Sequence, residues 1–214
     1  MLDEEARKRS LHGLEIGALE ASEGAEAVNV VARSFRDNPL SFAVNEVDPQ
    51  RRLRGTYAFI AAAFAIKDYS SHTLVARSAE GKIVGVCSML PPGECLLSFG
   101  EKLRLVSRLF STGPRALIRT MRFLAVWDKH HPAERHWHLG PVAVDSELQG
   151  MGVGSKLMRR FCARMDEVGG AAYLEADKEI NVRFYEKFGF EVISEEEVLG
   201  TQNWFMFRRP YQRR

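Results

Sequence analysis

The sequence predicts a single α/β domain in which helices flank a mixed, mostly antiparallel sheet. The chain has 214 residues, of which 45% are apolar, and this is enough for one substantial core within the usual size of a single domain. Strand and helix patterns alternate through the C-terminal half of the chain. The order strand, helix, strand implies one parallel pair of strands within a sheet that is otherwise antiparallel.

The N-terminal part begins with a polar tail over residues 1–12 and continues with a strand and two helices. Apolar and polar residues alternate over 13–19, which is typical of a half-buried strand. Apolar residues recur at helical spacing over 27–35, and we expect this helix to end before Pro39, since the residue that precedes a proline avoids the helical region. The same spacing over 55–67 predicts the second helix.

A hairpin and a pair of helices follow. Residues 73–78 and 82–90 are rich in β-forming residues and flank Gly81, which supplies the positive φ of a tight turn. Segment 91–132 contains two predicted helices, the second of which opens at Pro114. The apolar residues that mark these helices are Leu103, Val106 and Phe110 in the first and Leu117, Met121 and Leu124 in the second.

The C-terminal half supplies the alternating strands and helices. Its first strand covers 137–144, and Gly140 and Pro141 within it are expected to break regular pairing, because proline cannot donate a hydrogen bond to the ladder. The later elements are a helix over 155–168, a strand over 171–176, a helix over 180–188 that ends at Gly189, and strands over 190–198 and 201–207. The predicted apolar face of the first helix carries Leu157, Met158, Phe161, Cys162, Met165 and Val168.

A glycine-rich segment connects the strand over 137–144 to the next helix, and it consists of Gln149, Gly150, Met151, Gly152, Val153, Gly154 and Ser155. Glycine lets the backbone approach a ligand closely, and the free N–H groups at a helix start favour an anion. The segment does not match a Walker loop, because Ser155 precedes Lys156 and that loop needs the reverse order. It also differs from the G-x-G-x-x-G dinucleotide fingerprint. It therefore predicts a pyrophosphate-binding loop of a different class.

The glycine-rich segment resembles the acetyl-CoA loop, Gln/Arg-x-x-Gly-x-Gly/Ala, of the GCN5-related N-acetyltransferase (GNAT) superfamily. Residues 136–145, 173–177 and 181–190 are similar, in order, to that superfamily's fourth strand, fifth strand and following helix. The resemblance implies a GNAT domain over 13–210 whose parallel fourth and fifth strands splay apart. It also implies that the helical segment 91–132 is an insert near the acceptor site.

The resemblance implies an enzyme that transfers the acetyl group of acetyl-CoA directly to the primary amine of a small molecule. No cysteine occupies a motif position, so an acetyl-enzyme intermediate has no support. One alternative is a protein or peptide acceptor, and another is a CoA-binding module without activity. A cavity closed by residues 91–132 would favour a small amine, whereas an open groove would favour a peptide.

Three side chains receive catalytic roles from the resemblance. Tyr185 corresponds to a tyrosine that lies near the coenzyme sulfur and acts as the general acid, with core packing as the alternative role. The general base stays open between His138 and Glu175. His138 resembles a histidine that some arylalkylamine acetyltransferases use through a water chain. A carboxylate at Glu175 would either accept the ammonium proton or bind the cation.

The other predicted site residues correspond to the coenzyme contacts of the superfamily. The backbone of Val142, Ala143 and Val144 is expected to pair with pantetheine and to direct one N–H at the thioester oxygen. Asn181 is expected to bond a pantetheine amide, with a helix N-cap as the alternative. The remaining expected contacts are Gln149, Gly150, Met151, Gly152, Val153, Gly154, Ser155 and Phe184.

Composition argues against several other classes of protein. A formal charge of +2 gives no strong basic field for nucleic acid. The three cysteines, Cys87, Cys95 and Cys162, are odd in number and lack metal-ligand spacing, which predicts a reduced cytoplasmic protein without a metal site. The N-terminus has no apolar signal region, and no run of about eighteen apolar residues occurs, so neither secretion nor a membrane span is expected. A monomer or a homodimer is expected.

Two polar groups outside the motifs are predicted to lie at the surface. His130, His131 and His136 are expected to be exposed, the first two at a solvated helix end. The acidic segment 194–197 is expected to be a solvated strand edge, with attraction of a cationic acceptor as the alternative.

Overall fold

The computed structural model describes residues 11–46 and 48–211, which form a seven-stranded sheet with helices on both faces. The strands are β1 (Glu15–Ala18), β2 (Thr73–Arg77), β3 (Ile83–Leu90), β4 (Trp137–Val144), β5 (Ala172–Ala176), β6 (Glu191–Val198) and β7 (Thr201–Arg208). The helices are α1 (Gly24–Phe35), α2 (Pro39–Asn45), α3 (Pro49–Ile66), α4 (Phe99–Leu109), α5 (Pro114–His130), α6 (Val153–Glu167) and α7 (Glu179–Glu186).

The strand order in the sheet is β1-β2-β3-β4-β5-β7-β6. Every neighbouring pair is antiparallel except β4 and β5, which are parallel. The β4–β5 ladder consists of the pairs Trp137↔Ala172 and His138↔Tyr173, and beyond them the two strands separate. The predicted mixed sheet, mostly antiparallel and with splayed parallel fourth and fifth strands, is confirmed.

The sheet separates two hydrophobic clusters, because successive side chains of a strand point to opposite faces. On one face, Cys87 and Met89 of β3 pack with α6. On the other face, Val86 of β3 and Val75 of β2 pack with α1. The buried residues that α6 contributes are Val153, Leu157, Met158, Phe161 and Met165, and those of α1 in the cluster are Ala27, Val28, Val30 and Val31.

A β-bulge interrupts β4 beside the point where the sheet splays. Cys87 of β3 faces Val142 of β4, and Met89 faces Leu139, so one residue of β3 lies opposite two residues of β4. The two bulged residues are Gly140 and Pro141, which are joined by a cis peptide bond. The predicted break in regular pairing at this dipeptide is confirmed.

The predicted two-helix segment folds into α4 and α5 and is tied to the rest of the domain by ion pairs. Ser98 and Glu101 form a capping box at the start of α4, since each side chain accepts the backbone N–H of the other residue. The Glu101 carboxylate also pairs with Lys67, at the end of α3, at 2.9 Å. Lys102 of α4 pairs with Asp128 of α5 at 2.6 Å.

The buried faces of α4 and α5 differ from the predicted ones. In α4, Leu105 and Leu109 are buried against Ala62 of α3, whereas Leu103 and Phe110 are 63% and 79% exposed. Leu105 and Leu109 lie four residues apart on one helix face, and the position of α3 decides that this face is covered. In α5 the buried residues are Ala116, Thr120 and Phe123, while the predicted Leu117, Met121 and Leu124 are half-buried.

Near the N-terminus the structure has one helix that was not predicted and one that begins earlier than predicted. The proline that ends α1, Pro39, is also the first residue of α2, a helix that was not predicted from the sequence. Helix α3 begins at Pro49 rather than at residue 55, because the Asp48 carboxylate caps it by accepting the N–H groups of Gln50 and Arg51.

The other helix and strand boundaries agree with the prediction to within a few residues. Val168 lies just past the end of α6 and is 56% exposed, so its predicted place in the apolar face is wrong. The predicted polar tail over 1–12 lies almost entirely outside the described residues, and the domain bounds 13–210 stay a prediction. Across 11–46 and 48–211, none of the helices has both the length and the apolar character needed to span a bilayer.

Candidate active site

The glycine-rich loop turns the chain from the end of β4 into α6. Gly150 and Gly152 have φ values of +77° and +87°, a region that residues with a Cβ rarely adopt. Gly152, which has no side chain to cap the helix, is the N-cap of α6. The first N–H groups of this helix therefore lack a side-chain acceptor at the N-cap, and the helix dipole favours an anion at this end.

The rest of the loop packs against neighbouring elements. The Gln149 side-chain amide donates to the Val144 carbonyl at 3.1 Å and to the Ser34 hydroxyl at 3.4 Å, so it holds the loop on the end of β4. Gly154, in the first turn of α6, lies close to both α7 and β4. A Cβ added to it would be 3.5 Å from the Phe184 ring and 3.6 Å from the Val144 side chain. Of the remaining loop residues, Val153 is buried, while Met151 and Ser155 are half-buried.

The backbone of β4 has an open side next to the loop. Val142, Ala143 and Val144 pair with β3 on one side. On the other side the ladder with β5 ends at His138, so this stretch borders the opening between the two strands. Backbone N–H and C=O groups need hydrogen-bond partners, and those directed into the opening are available to an extended ligand.

Helix α7 directs two predicted site residues into the same cavity. Asn181 and Tyr185 lie four residues apart, on one helix face, and both line the cavity described below. The N-cap of the helix is Lys178, so the alternative role of Asn181 as an N-cap is wrong. The Lys178 ammonium donates to the Asn38 side-chain oxygen at 2.6 Å, which fixes the start of α7 against the α1–α2 connection.

Tyr185 lies in a largely apolar environment. Its ring makes edge contacts with Phe184 and Phe190, at centroid distances of 5.3 and 5.9 Å. Burial of the hydroxyl is the main reason that the pKa of Tyr185 lies well above its ordinary value of 10, and the nearby Asp177 carboxylate raises it further. The phenol is therefore protonated at neutral pH, as a general acid must be.

A cavity of about 260 Å³ lies where the α1–α3 region, the two-helix segment and the splayed strands meet. Most of its wall is apolar, and α4 and α5 close one side of it. Its apolar lining includes Phe35, Leu40, Phe59, Phe64, Leu90, Leu97, Leu105, Phe123 and Leu124. Its polar lining includes His131, His138, Glu175, Asp177, Asn181 and Tyr185.

The two candidate bases form one hydrogen-bonded pair. His138 Nε2 lies 2.8 Å from the Glu175 carboxylate, across the point where β4 and β5 begin to separate. Burial alone would lower the pKa of His138, but the charge of Glu175 outweighs it and raises that pKa. Burial alone would raise the pKa of Glu175, and the His138 charge outweighs it and lowers that pKa. Each group thus favours the charged form of the other.

A second carboxylate in the cavity, Asp177, was not predicted from the sequence. Its Oδ2 accepts the backbone N–H of Leu40 at 3.3 Å. Burial raises the pKa of Asp177 above its ordinary value. Asp177 lies two residues after Glu175, and this shared strand parity is the signal that would have pointed to it.

The predicted exposure of His130, His131 and His136 is wrong for all three. His136 is 3% exposed and packs at the edge of the Tyr173 ring, at a centroid distance of 5.2 Å. His130 stacks on Phe205 at 4.2 Å and contacts the Glu196 carboxylate at 2.6 Å. The strand order brings β7 and β6 under the end of α5, which the sequence pattern of the helix does not reveal. His131 is half-buried at the cavity wall.

The acidic segment lies on β6, the edge strand of the sheet, as predicted. Two of its carboxylates have partners within the protein. Glu196 pairs with Lys129 at 2.6 Å as well as with His130, and Glu195 accepts from the Gln202 side chain at 3.1 Å. None of the segment's residues lines the cavity in the part of the chain that the structure describes.

The splayed parallel strands, the glycine loop at the start of α6 and the adjoining cavity define an acyl-CoA-dependent acetyltransferase. Residues 42–190 match the model of the "Acetyltransferase (GNAT) family", which is more than half of the chain. The chain therefore belongs to the GNAT family, and the predicted membership is confirmed.

Solved structures of the family share the fold. A structure described as histone acetyltransferase HPA2 and related acetyltransferase, from Corynebacterium glutamicum, is 24% identical, with a TM-score of 0.69 over 94% of this chain and 98% of that chain. A polyamine N-acetyltransferase from Drosophila melanogaster is 14% identical, with a TM-score of 0.60 over 91% and 98%. A GNAT family acetyltransferase from Brucella melitensis, solved in complex with acetyl-CoA, is 19% identical, with a TM-score of 0.51 over 92% and 87%.

Proposed function

We propose that the chain transfers the acetyl group of acetyl-CoA directly to the primary amine of a small, largely apolar molecule. The observation that carries the proposal is the His138–Glu175 pair, which lies in the wall of a mostly apolar cavity and beside the opening between β4 and β5. The cavity supplies room for the acceptor, and the opening supplies room for the thioester.

The coenzyme fits the loop and the open edge of β4. The positive φ values at Gly150 and Gly152 let the loop curl around a pyrophosphate at the start of α6. The backbone of Val142, Ala143 and Val144 is available to pair with pantetheine, and Asn181 faces the same opening from α7. This arrangement directs the thioester toward the cavity.

The acceptor is bound by charge at one end and by apolar contact along its body. Glu175 and Asp177 are two carboxylates on the same side of β5, and both line the cavity, so they attract an ammonium group. The apolar part of the cavity wall favours binding of an apolar body, since each Å² of apolar surface removed from water contributes about 25 cal/mol of binding free energy. A small amine with an aliphatic or aromatic body satisfies both.

The reaction requires a neutral amine at the thioester carbon. In our proposal Glu175, or His138 held by Glu175, takes one proton from the ammonium. The amine nitrogen then forms a bond to the carbonyl carbon, and a β4 backbone N–H stabilises the oxyanion. The carbon–sulfur bond breaks, and the Tyr185 hydroxyl donates its proton to the departing thiolate. The second amine proton leaves the nitrogen as the amide forms and passes to the Tyr185 phenolate, which restores the general acid.

Closure of the cavity supports a small acceptor over a peptide. Helices α4 and α5 form one side of the cavity, which leaves less room for a peptide than an open groove would. The ion pairs Lys67–Glu101 and Lys102–Asp128 hold these helices in place.

A cytoplasmic location is part of the proposal. The three cysteines are free thiols, as expected of a reduced compartment. A monomer or a homodimer remains the prediction for the assembly.

A screen of acceptors tests the proposed function. Acetyl-CoA is incubated with arylalkylamines, alkylamines, a polyamine and a lysine-containing peptide, and free thiol release is measured with product mass. We expect acetylation of the apolar primary amines. Faster acetylation of the peptide would replace the proposal with a protein acetyltransferase, and acetyl-CoA binding without transfer to any acceptor would indicate a binding module.

A further inference from the structure

Three potential metal ligands meet at the cavity wall, next to the catalytic pair but outside it. The ligand atoms of Cys95, His131 and His136 all lie within 4.8 Å of one another. They come from the connection before α4, the residue after α5 and the residue before β4, so the tertiary fold assembles them. Their spacing along the chain, with 35 residues between Cys95 and His131, gives no motif.

The hydrogen bonds of His136 orient it as a ligand. Its Nδ1 lies 2.6 Å from the backbone carbonyl of Glu134, which can only accept, so Nδ1 carries the proton and Nε2 presents a lone pair. This arrangement is the one that commonly supports a metal-bound imidazole. His136 Nε2 is buried and has no hydrogen-bond partner among the described residues, and the same is true of His131 Nε2.

Two unpartnered ring nitrogens in one buried cluster are costly without a ligand. A buried polar group without a hydrogen-bond partner lowers the free energy of unfolding by about 1–3 kcal/mol, and native proteins contain few such groups. Cys95 Sγ completes the cluster and contacts the Pro91 carbonyl at 3.8 Å, a weak hydrogen bond that a cation would replace. A bound cation would satisfy all three groups together.

We propose that Cys95, His131 and His136 bind a divalent transition metal of the zinc type. One sulfur and two imidazole nitrogens suit Zn²⁺ or Co²⁺, whereas Mg²⁺ and Ca²⁺ require oxygen ligands. Tetrahedral coordination at ordinary bond lengths places such ligand atoms about 3.3–3.7 Å apart, so each side chain has to move inward by under about 1 Å. Binding breaks the Cys95 S–H bond, forms the metal–sulfur bond and releases the proton to solvent.

The site has a consequence for acetyl transfer, and this part rests on the proposed function. Cys95 and His131 line the cavity that also contains His138 and Glu175, so a metal here adds positive charge where the acceptor ammonium would bind. Three protein ligands leave one coordination position, which a water or the acceptor amine itself can fill. We therefore expect Zn²⁺ to inhibit acetylation in competition with the amine.

Direct metal binding tests the site without any assay of activity. The full chain is treated with a chelator, dialysed and titrated with Co²⁺, and thiolate-to-cobalt absorption is followed in the near ultraviolet. We expect one equivalent to bind and Zn²⁺, but not Mg²⁺, to displace it. Cys95→Ser should abolish the thiolate band, and His136→Gln should weaken binding at least about tenfold. The control Cys162→Ser removes a thiol outside the cluster and should bind Co²⁺ as the native chain does.

Metal titration of the native chain tests the proposed site even if a variant of Cys95 or His136 fails to fold. Absence of stoichiometric Co²⁺ or Zn²⁺ binding to the native chain would overturn the proposal, as would a thiolate band that survives in folded Cys95→Ser. Stoichiometric binding with no acetylation of any amine would leave the metal site standing and remove the proposed function. An enzyme that acetylates amines but binds no metal would overturn the metal site and leave the proposed function standing.

Discussion

At the scale of single residues, the central finding is that the two candidate bases form one hydrogen-bonded pair. The sequence offered His138 and Glu175 as alternative bases because spacing within a strand says nothing about contacts between strands. The parallel register His138↔Tyr173 places Glu175 just beyond the last pair of the β4–β5 ladder, where its carboxylate reaches His138 at 2.8 Å. The residues were predictable from the sequence, and their partnership depended on the register.

Removal of either member of this pair should lower the turnover number by a similar amount. We expect His138→Gln and Glu175→Gln each to reduce kcat on the order of a hundredfold, since each variant disrupts the same proton acceptor. The double variant should be scarcely slower than the single ones, because groups that act as one unit are not additive. Steady-state kinetics on an apolar amine measure this. Additive losses would mean that the two groups act independently.

The proposed general-acid role of Tyr185 has its own kinetic signature. Tyr185→Phe removes the hydroxyl but keeps the ring contacts with Phe184 and Phe190. We expect kcat to fall on the order of a hundredfold while the affinity for acetyl-CoA, measured by calorimetric titration, stays the same. A fully active variant would restrict Tyr185 to packing.

The glycine loop can be tested against a control with the same backbone strain. Gly152 and Gly81 both have φ near +80°, and neither has a neighbour within 4 Å of an added Cβ, so valine at either site costs similar stability. We expect Gly152→Val to weaken acetyl-CoA binding about tenfold or more, because only Gly152 lies at the proposed pyrophosphate-binding loop. Gly81→Val, in the β2–β3 hairpin, should keep full affinity. Equal affinity of the two variants in calorimetry would contradict a role for the loop.

At the scale of elements, helix existence was predictable and helix orientation was not. Periodicity and proline placement located α4 and α5, yet the buried face of α4 runs through Leu105 and Leu109 rather than through Leu103 and Phe110. The apolar residues of this helix form one broad face, with Leu105 and Leu109 on one side of it and Leu103 and Phe110 on the other. Packing against α3 covers only the side that carries Leu105 and Leu109. The short helix α2 escaped prediction because a proline that stops one helix also starts the next.

The Lys67–Glu101 pair should make the attachment of α4 depend on acid pH. Burial alone would raise the pKa of Glu101, but Lys67 and the hydrogen bonds from Ser98 together lower it to about 2. Because the folded-state pKa lies below the ordinary value of 4.5, the stabilisation is complete above about pH 4.5 and is lost as the pH falls toward 2. We expect Lys67→Met to lower the free energy of unfolding by ~2 kcal/mol at pH 7.

Urea unfolding across pH measures this attachment. The difference between the native chain and Lys67→Met should shrink steadily between about pH 4.5 and pH 2, since the native chain loses the pair there as well. A difference that stays constant over this range would show that Lys67 stabilises α4 by packing of its aliphatic stem rather than by charge.

At the scale of the whole molecule, the mixed sheet with its parallel fourth and fifth strands was predictable, whereas the strand order and the cavity were not. Motifs for the fourth strand, the glycine loop, the fifth strand and α7 follow one another closely in the sequence, so their mutual arrangement followed from their order. The cavity draws its walls from α1, α3, the two-helix segment and β5, which lie far apart along the chain. The burial of His136 and the Cys95 cluster depend on the same distant contacts, which no local pattern records.

The apolar wall of the cavity predicts how kcat/KM depends on the length of the acceptor. A primary amine whose ammonium lies at Glu175 and Asp177 extends its body along apolar walls. Each methylene that such walls cover contributes about 0.8 kcal/mol, which is a factor of about four in kcat/KM. A diamine of equal length gains less, because its second charge would lie in a cavity whose wall is mostly apolar and whose Asp128 carboxylate is already paired with Lys102.

The most direct measurement is kcat/KM for a series of unbranched primary alkylamines of increasing length, each compared with a diamine of the same length. We predict a rise of about fourfold per methylene until the cavity of about 260 Å³ is filled, with the diamines well below the monoamines. A kcat/KM that is independent of chain length, or one that is higher for the diamines, would contradict an enclosed apolar acceptor site.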